Sequence, residues 1–134
     1  MKTQAETVQM IYAAFGRGDV PAILETLADD VDWEYHGAST EVPWLAQRKG
    51  RASVGGFFEA VGKHLDITHF AVKDILSGPN VVVALVDINA TVKETGRSFR
   101  EVDEAHIWRF DERGRIARFR HAADSHAHAL AWTR

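Results

Sequence analysis

The chain has 134 residues, 46% of them apolar and 26% charged, with a formal net charge of −3. That is enough length for a core of its own, without the basic excess that nucleic-acid binding requires. There is no cysteine, which excludes disulfides, thiolate catalysis and thiolate metal ligation. The longest apolar run is far short of a membrane span, and Met1 is followed by a polar helix rather than an apolar signal core. The expectation is a soluble cytoplasmic protein, one domain over residues 1–134, without a membrane or nucleic-acid partner.

Helices come first. Thr3 and Glu6 fit a capping box, and Val8, Ile11, Tyr12 and Phe15 follow at helical spacing up to Gly16 and Gly18. Asp19 is placed to cap a second helix, with Pro21 in its first turn and Ile23, Leu24 and Leu27 inward. Val31, Trp33 and Tyr35 alternate with Asp32, Glu34 and His36, the mark of a half-buried strand whose polar set faces out. Residues 37–50 read as a loop holding Pro43-Trp44. A tryptophan there has little reason to be core and is read as a lid over a cavity. Residues 51–65 form a third helix, with Val54, Phe57, Phe58, Val61 and Leu65 on one face.

Strands fill the rest. Residues 67–76 alternate loosely and end at Ser77-Gly78-Pro79-Asn80. In residues 81–93 every even position from Val82 to Val92 is apolar. Residues 98–110 and 115–123 form a hairpin around Asp111-Glu112-Arg113-Gly114. Residues 126–132 suggest a short terminal helix. Helices followed by an antiparallel meander make an α+β pattern. A strongly bent sheet wrapped over three N-terminal helices leaves a cone-shaped cavity.

The last hairpin carries the chemistry. Glu104, His106, Trp108 and Phe110 share one face of its first strand, and Phe119, His121 and Ala123 share one face of its second. Histidine exchanges protons near neutral pH. Counting out from the turn makes His106 and His121 neighbours or diagonal partners on the concave face. A bulge in the last strand would put Arg120 or Asp124 there instead. Glu104 either tunes His106 or forms a rim ion pair with Arg100 or Arg120. His126 and His128, two apart on a helix, point away from each other. They are read with Asp124 and Ser125 as a surface helix start, so no metal site is expected.

The element order, with AAFGRGD, LADDVDW, the Pro43-Trp44 loop, GRASVGGFF and GRIARFRHAAD, resembles the SnoaL-like family of polyketide cyclases. That family lies within the superfamily of ketosteroid isomerase and nuclear transport factor two. The resemblance spans essentially the whole chain. It implies a cone-shaped α+β barrel and a homodimer built through the outer sheet face. It does not select among isomerases, aldol cyclases, dehydratases, epoxide hydrolases and binding proteins. By resemblance, the oxyanion-donating acid of ketosteroid isomerase falls on His106, its general base on Tyr35, and its helix-1 tyrosine on Ile11, with Tyr12 rotated off. The Arg-x-Asp of epoxide hydrolases falls near Val86 and Ile88. A last-strand acid/base falls on His121, and the two histidines with Tyr35 resemble the dehydratase arrangement.

The function expected is a cofactor-independent acid/base enzyme, of isomerase, dehydratase or aldol-cyclase type, acting on a small hydrophobic carbonyl or hydroxyl compound. His121 is the base and His106 the donor, with Tyr35 and Glu104 assisting. Trp33, Trp44, Phe57, Phe58, Val86, Ile88, Trp108 and Phe119 contact the substrate. The alternative is a non-catalytic binding domain using the same pocket. A third reading is an interaction module working through the sheet face, where Val83, Leu85, Asp87, Asn89, Asp103, Ala105, Ile107 and Arg109 leave it half apolar.

Overall fold

The first helix, α1 (Gln4–Gly16), starts where the capping box places it. Glu6 N–H donates to Thr3 Oγ1 at 3.1 Å, and Thr3 N–H donates to the Glu6 carboxylate at 3.0 Å. Asp19 then caps α2 (Val20–Leu24) by accepting Ala22 N–H at 3.2 Å. The computed structural model describes residues 2–34 and 41–133. The chain continues through β1 (Leu27–Trp33), a 3-10 turn (Pro43–Leu45), β2 (Arg48–Lys49) and α3 (Arg51–His64). Four strands follow: β3 (Leu65–Gly78), β4 (Val81–Val92), β5 (Ser98–Phe110) and β6 (Ile116–Ala122). The last element is α4 (Ser125–Trp132). Leu65 begins β3 rather than ending α3, because its backbone is already extended at the helix C-cap.

The six strands form one sheet in the order β2-β1-β6-β5-β4-β3. All neighbours are antiparallel except β1 and β6, which are parallel. The sheet is open, with β2 and β3 as edges. The inside of the cone is covered by α1 and α3, which pack against its strands, and α4 packs against β4 and β5. In β4 every even residue from Val82 to Val92 is buried and every odd one half-buried. Period-two patterning against a one-sided core requires this. Each fully buried valine or isoleucine there contributes roughly 1.5–3 kcal/mol.

Two backbone irregularities position the polar residues of the interior. The β4–β5 register slips between Val86↔Glu104 and Ile88↔Glu101. Val102 and Asp103 together therefore face Asp87, and Asp103 takes φ 58°, as a bulge demands. Asp103 N–H donates to Asp87 Oδ1 at 3.0 Å, and Lys73 pairs with both aspartates. The extra residue turns Glu101 inward, onto the same face as Glu104. At the end of β1, Glu34 has φ 59°. That left-handed step swings its carboxylate into the interior, whereas simple alternation placed it outside with Asp32.

Candidate active site

Between the sheet and α1 and α3 lies a cavity of about 90 Å³, lined mainly by apolar and aromatic side chains together with Tyr12, Glu104, His106, His121 and His128. Trp33, Phe57, Phe58, Trp108 and Phe119 are on its wall. The Trp33 and Phe119 rings stack at 4.1 Å. Ile88 and Trp44 also line it. Val86 faces inward and is fully buried, but it lies outside the wall. Trp44 is a buried wall residue of the second core cluster rather than a surface lid. Tyr35 lies outside the described residues.

His106 and His121 are direct cross-strand partners, so no bulge separates them, and their ring centroids are 5.9 Å apart. Each ring is clamped by its own carboxylate. His106 Nε2 meets Glu104 Oε1 at 2.5 Å, and His106 Nδ1 meets the Tyr12 hydroxyl at 2.5 Å. Trp108 Nε1–H donates to the same hydroxyl at 3.2 Å. His121 Nδ1 meets Glu34 Oε1 at 2.5 Å, and that oxygen also accepts the His121 backbone N–H at 2.9 Å. Among the described residues no hydrogen bond reaches His121 Nε2.

The electrostatics assign the protons. Burial pushes the Tyr12 phenol up, so it stays protonated, and the Glu104 charge adds to the shift. Burial alone would raise Glu104, but the His106 hydrogen bond and the nearby histidines outweigh it and hold the carboxyl below its usual range. Tyr12 O–H therefore donates to His106 Nδ1, and His106 Nε2–H donates to Glu104. Burial pushes His106 down despite that partner, so its ring is neutral. Burial opposes charge on His121 too, yet the Glu34 hydrogen bond and the fields of Glu34 and Glu104 prevail and raise it. Two adjacent histidines thus carry opposite biases.

Several of these partners were not expected. The resemblance implies a Tyr12 rotated off the site. Its long side chain, one position along from inward-facing Ile11, still brings the hydroxyl to the cavity. Alternation places Glu34 outward and does not single out Glu101, and positive φ at Glu34 and Asp103 turns both inward. His128 was placed on a surface helix but is 3% exposed, because α4 lies across the sheet end with that face inward. Asp124 does cap α4, accepting Ala127 N–H at 3.1 Å. Glu104 is 6% exposed and pairs with His106 rather than with an arginine at the rim.

Glu101, Glu104 and His128 each offer a ligand-type atom within 4.8 Å of the others. Trp44 Nε1–H donates to His128 Nδ1 at 2.8 Å, however. A neutral ring accepting there carries its proton on Nε2, the nitrogen facing the carboxylates. A cation would have to displace that proton and leave two N–H groups opposed, the reverse of the support that ligating histidines receive. The cluster is therefore arranged for hydrogen bonding.

The model of the SnoaL-like domain matches residues 8–119. A NTF2-like protein of unknown function from Burkholderia pseudomallei superposes with a TM-score of 0.83 at 26% identity, over 100% of both chains. A NTF2-like protein from Burkholderia xenovorans gives 0.83 at 23% identity, over 99% of both. A Mycobacterium tuberculosis protein in complex with estradiol-17beta-hemisuccinate gives 0.70 at 20% identity, over 94% of this chain and 98% of that one. Among curated proteins no sequence matches.

Proposed function

The chain belongs to the SnoaL-like family, and from that premise we propose that it is a cofactor-independent acid/base enzyme acting on a small hydrophobic carbonyl or hydroxyl compound. The reaction is of isomerase, dehydratase or aldol-cyclase type. The observation that carries this reading is His121. Glu34 grips its Nδ1 at 2.5 Å, which leaves Nε2 toward the cavity as the proton-accepting atom. Glu34 stabilises the imidazolium that forms, and the raised affinity of His121 for a proton suits a base working near neutrality.

Proton abstraction next to a carbonyl builds charge on its oxygen. Tyr12 is the donor nearest to it: its hydroxyl is on the cavity wall, accepts from Trp108, and turns its one hydrogen from His106 Nδ1 to the substrate oxygen as charge builds there. His106 then acts by positioning Tyr12, since both its nitrogens are engaged within the protein. This revises the donor role from His106 to the Tyr12–His106 pair. The steroid derivative bound by the Mycobacterium tuberculosis relative supports an apolar ring compound as the ligand class. We also infer a homodimer through the outer sheet face, where Val83, Leu85, Ala105 and Ile107 are only half-buried among the described residues.

A second reading, a non-catalytic binding domain, is favoured by the fully satisfied state of His106. Solvent deuterium exchange at the carbons next to the carbonyl of cyclohexanone and 2-tetralone separates the two. Wild type should accelerate exchange, and His121→Ala should lose about 10²–10⁴-fold of that acceleration while still binding the ketone. Binding without exchange in wild type would establish the binding reading. Exchange unchanged in the variant would remove His121 from the mechanism.

A further inference from the structure

Glu101, Glu104 and His128 meet at one part of the cavity that the proton-transfer scheme leaves unused. All three are buried: 6%, 6% and 3% exposed. Each has an atom, Glu101 Oε2, Glu104 Oε2 and His128 Nε2, with no hydrogen-bond partner among the described residues. Their other atoms are committed. Glu101 Oε1 accepts the backbone N–H of Asp124 at the start of α4, Glu104 Oε1 holds His106, and His128 Nδ1 accepts from Trp44. His128 Nε2 stands 3.5 Å from Glu101 Oε1 and 4.0 Å from Glu104 Oε2, too far for a good hydrogen bond. Two acceptors and one donor therefore face one another across a gap, and burial makes unmet polar atoms costly.

The chemistry that answers such a cluster is an O–H group. Its one hydrogen goes to one of the two carboxylate oxygens and its lone pair accepts from His128 Nε2–H, which meets two of the three unpartnered atoms. Groups within 4.8 Å of one another leave an oxygen at roughly 2.7–2.8 Å from each, an ordinary O–H···O length. Glu104 and His128 are on the cavity wall, so the group can belong to the bound compound. We propose that Glu101, Glu104 and His128 form a subsite for a ligand hydroxyl, so that the compound taken by the cavity is a ring ketone bearing a hydroxyl beside its carbonyl. The adjacency follows from Glu104, whose Oε1 supports the His106–Tyr12 donor for the carbonyl while its Oε2 faces the hydroxyl. The His121 and His128 rings are neighbours on the same wall, with centroids 6.4 Å apart.

This subsite rests on the reading of the cavity as a ligand site, but its test is binding, not turnover. Calorimetry with cyclohexanone and 2-hydroxycyclohexanone should show wild type preferring the hydroxy ketone by about tenfold, one charge-assisted hydrogen bond. Glu101→Gln and His128→Gln should each bring that preference close to one, with cyclohexanone affinity unchanged in Glu101→Gln, whose side chain is not part of the cavity wall. Equal binding of the two ketones by wild type, binding of neither, or a preference kept in both variants would overturn the subsite. A zinc titration that shifts the His128 ring signals and displaces the hydroxy ketone would overturn it in favour of a cation. Deuterium exchange that persists in wild type without a hydroxyl preference would leave the proton-transfer reading standing alone.

Discussion

At His128 the burial of one ring sets a pH dependence. Burial pushes its pKa down to about 4 from the ordinary 6.5, against the raising fields of Glu104, Asp124 and Glu34. The folded chain thus refuses a proton that the unfolded chain accepts below pH 6.5. Stability is lost as pH falls from 6.5, and this contribution levels off below about 4. At pH 5 the loss from this group is on the order of 2 kcal/mol. His106, also lowered, acts in the same direction. His121, raised, acts oppositely: its contribution is complete below pH 6.5 and disappears as pH rises through its folded value. Urea unfolding at pH 5 and pH 7 checks the account. His128→Gln should lose about 2 kcal/mol less than wild type between the two, and an unchanged difference would remove His128 as the cause.

Among the elements, β5 is the one whose irregularity the site depends on. Its bulge at Val102–Asp103 puts Glu101 beside Glu104 and keeps His106 and Trp108 on the inner face. Asp103 tolerates φ 58° because a short polar side chain reaches that region more readily than a branched one. Asp103→Val should cost about 1–2 kcal/mol, whereas Asp103→Gly should stay within about 1 kcal/mol of wild type, losing mainly an exposed ion pair to Lys73. Chemical denaturation reads both. Equal losses would show that the left-handed conformation is not what Asp103 supplies. Removing Asp103 altogether would restore plain alternation and force Glu101 or the His106 side outward, so the paired ring signals of His106 and Tyr12 should disappear from NMR spectra.

On the scale of the molecule, the open sheet presents two faces with different work. The inner face holds the cavity. The outer face carries half-buried Val83, Leu85, Ala105 and Ile107 between charged neighbours, the composition of a covered surface. If it joins two copies, sedimentation should give twice the chain mass, and Ile107→Glu should yield a monomer. A wild-type monomer at all concentrations would remove the dimer. Among the described residues no helix is long and apolar enough to cross a membrane.

Local chemistry was legible in the sequence by itself. The Thr3–Glu6 box, the Asp19 cap and the even-numbered apolar row of β4 each depend on neighbours in the chain, and each stands where the pattern put it. The family and the curved α+β fold were legible too, because core patterning over a whole chain is redundant. His106 and His121 could be narrowed to neighbours or diagonal partners because one short turn joins their strands, and the ladder makes them direct partners. The partners that complete the site were decided only in three dimensions. A positive φ at two residues turned Glu34 and Glu101 inward, helix packing brought Tyr12 to His106 across 94 positions of sequence, and docking of α4 buried His128 against Trp44, 84 positions away. Alternation registers a period and misses one inserted residue, and long-range contacts leave no periodic mark, so Glu104 beside His106 was legible in the sequence while the Glu34 carboxylate on His121 came from tertiary structure alone.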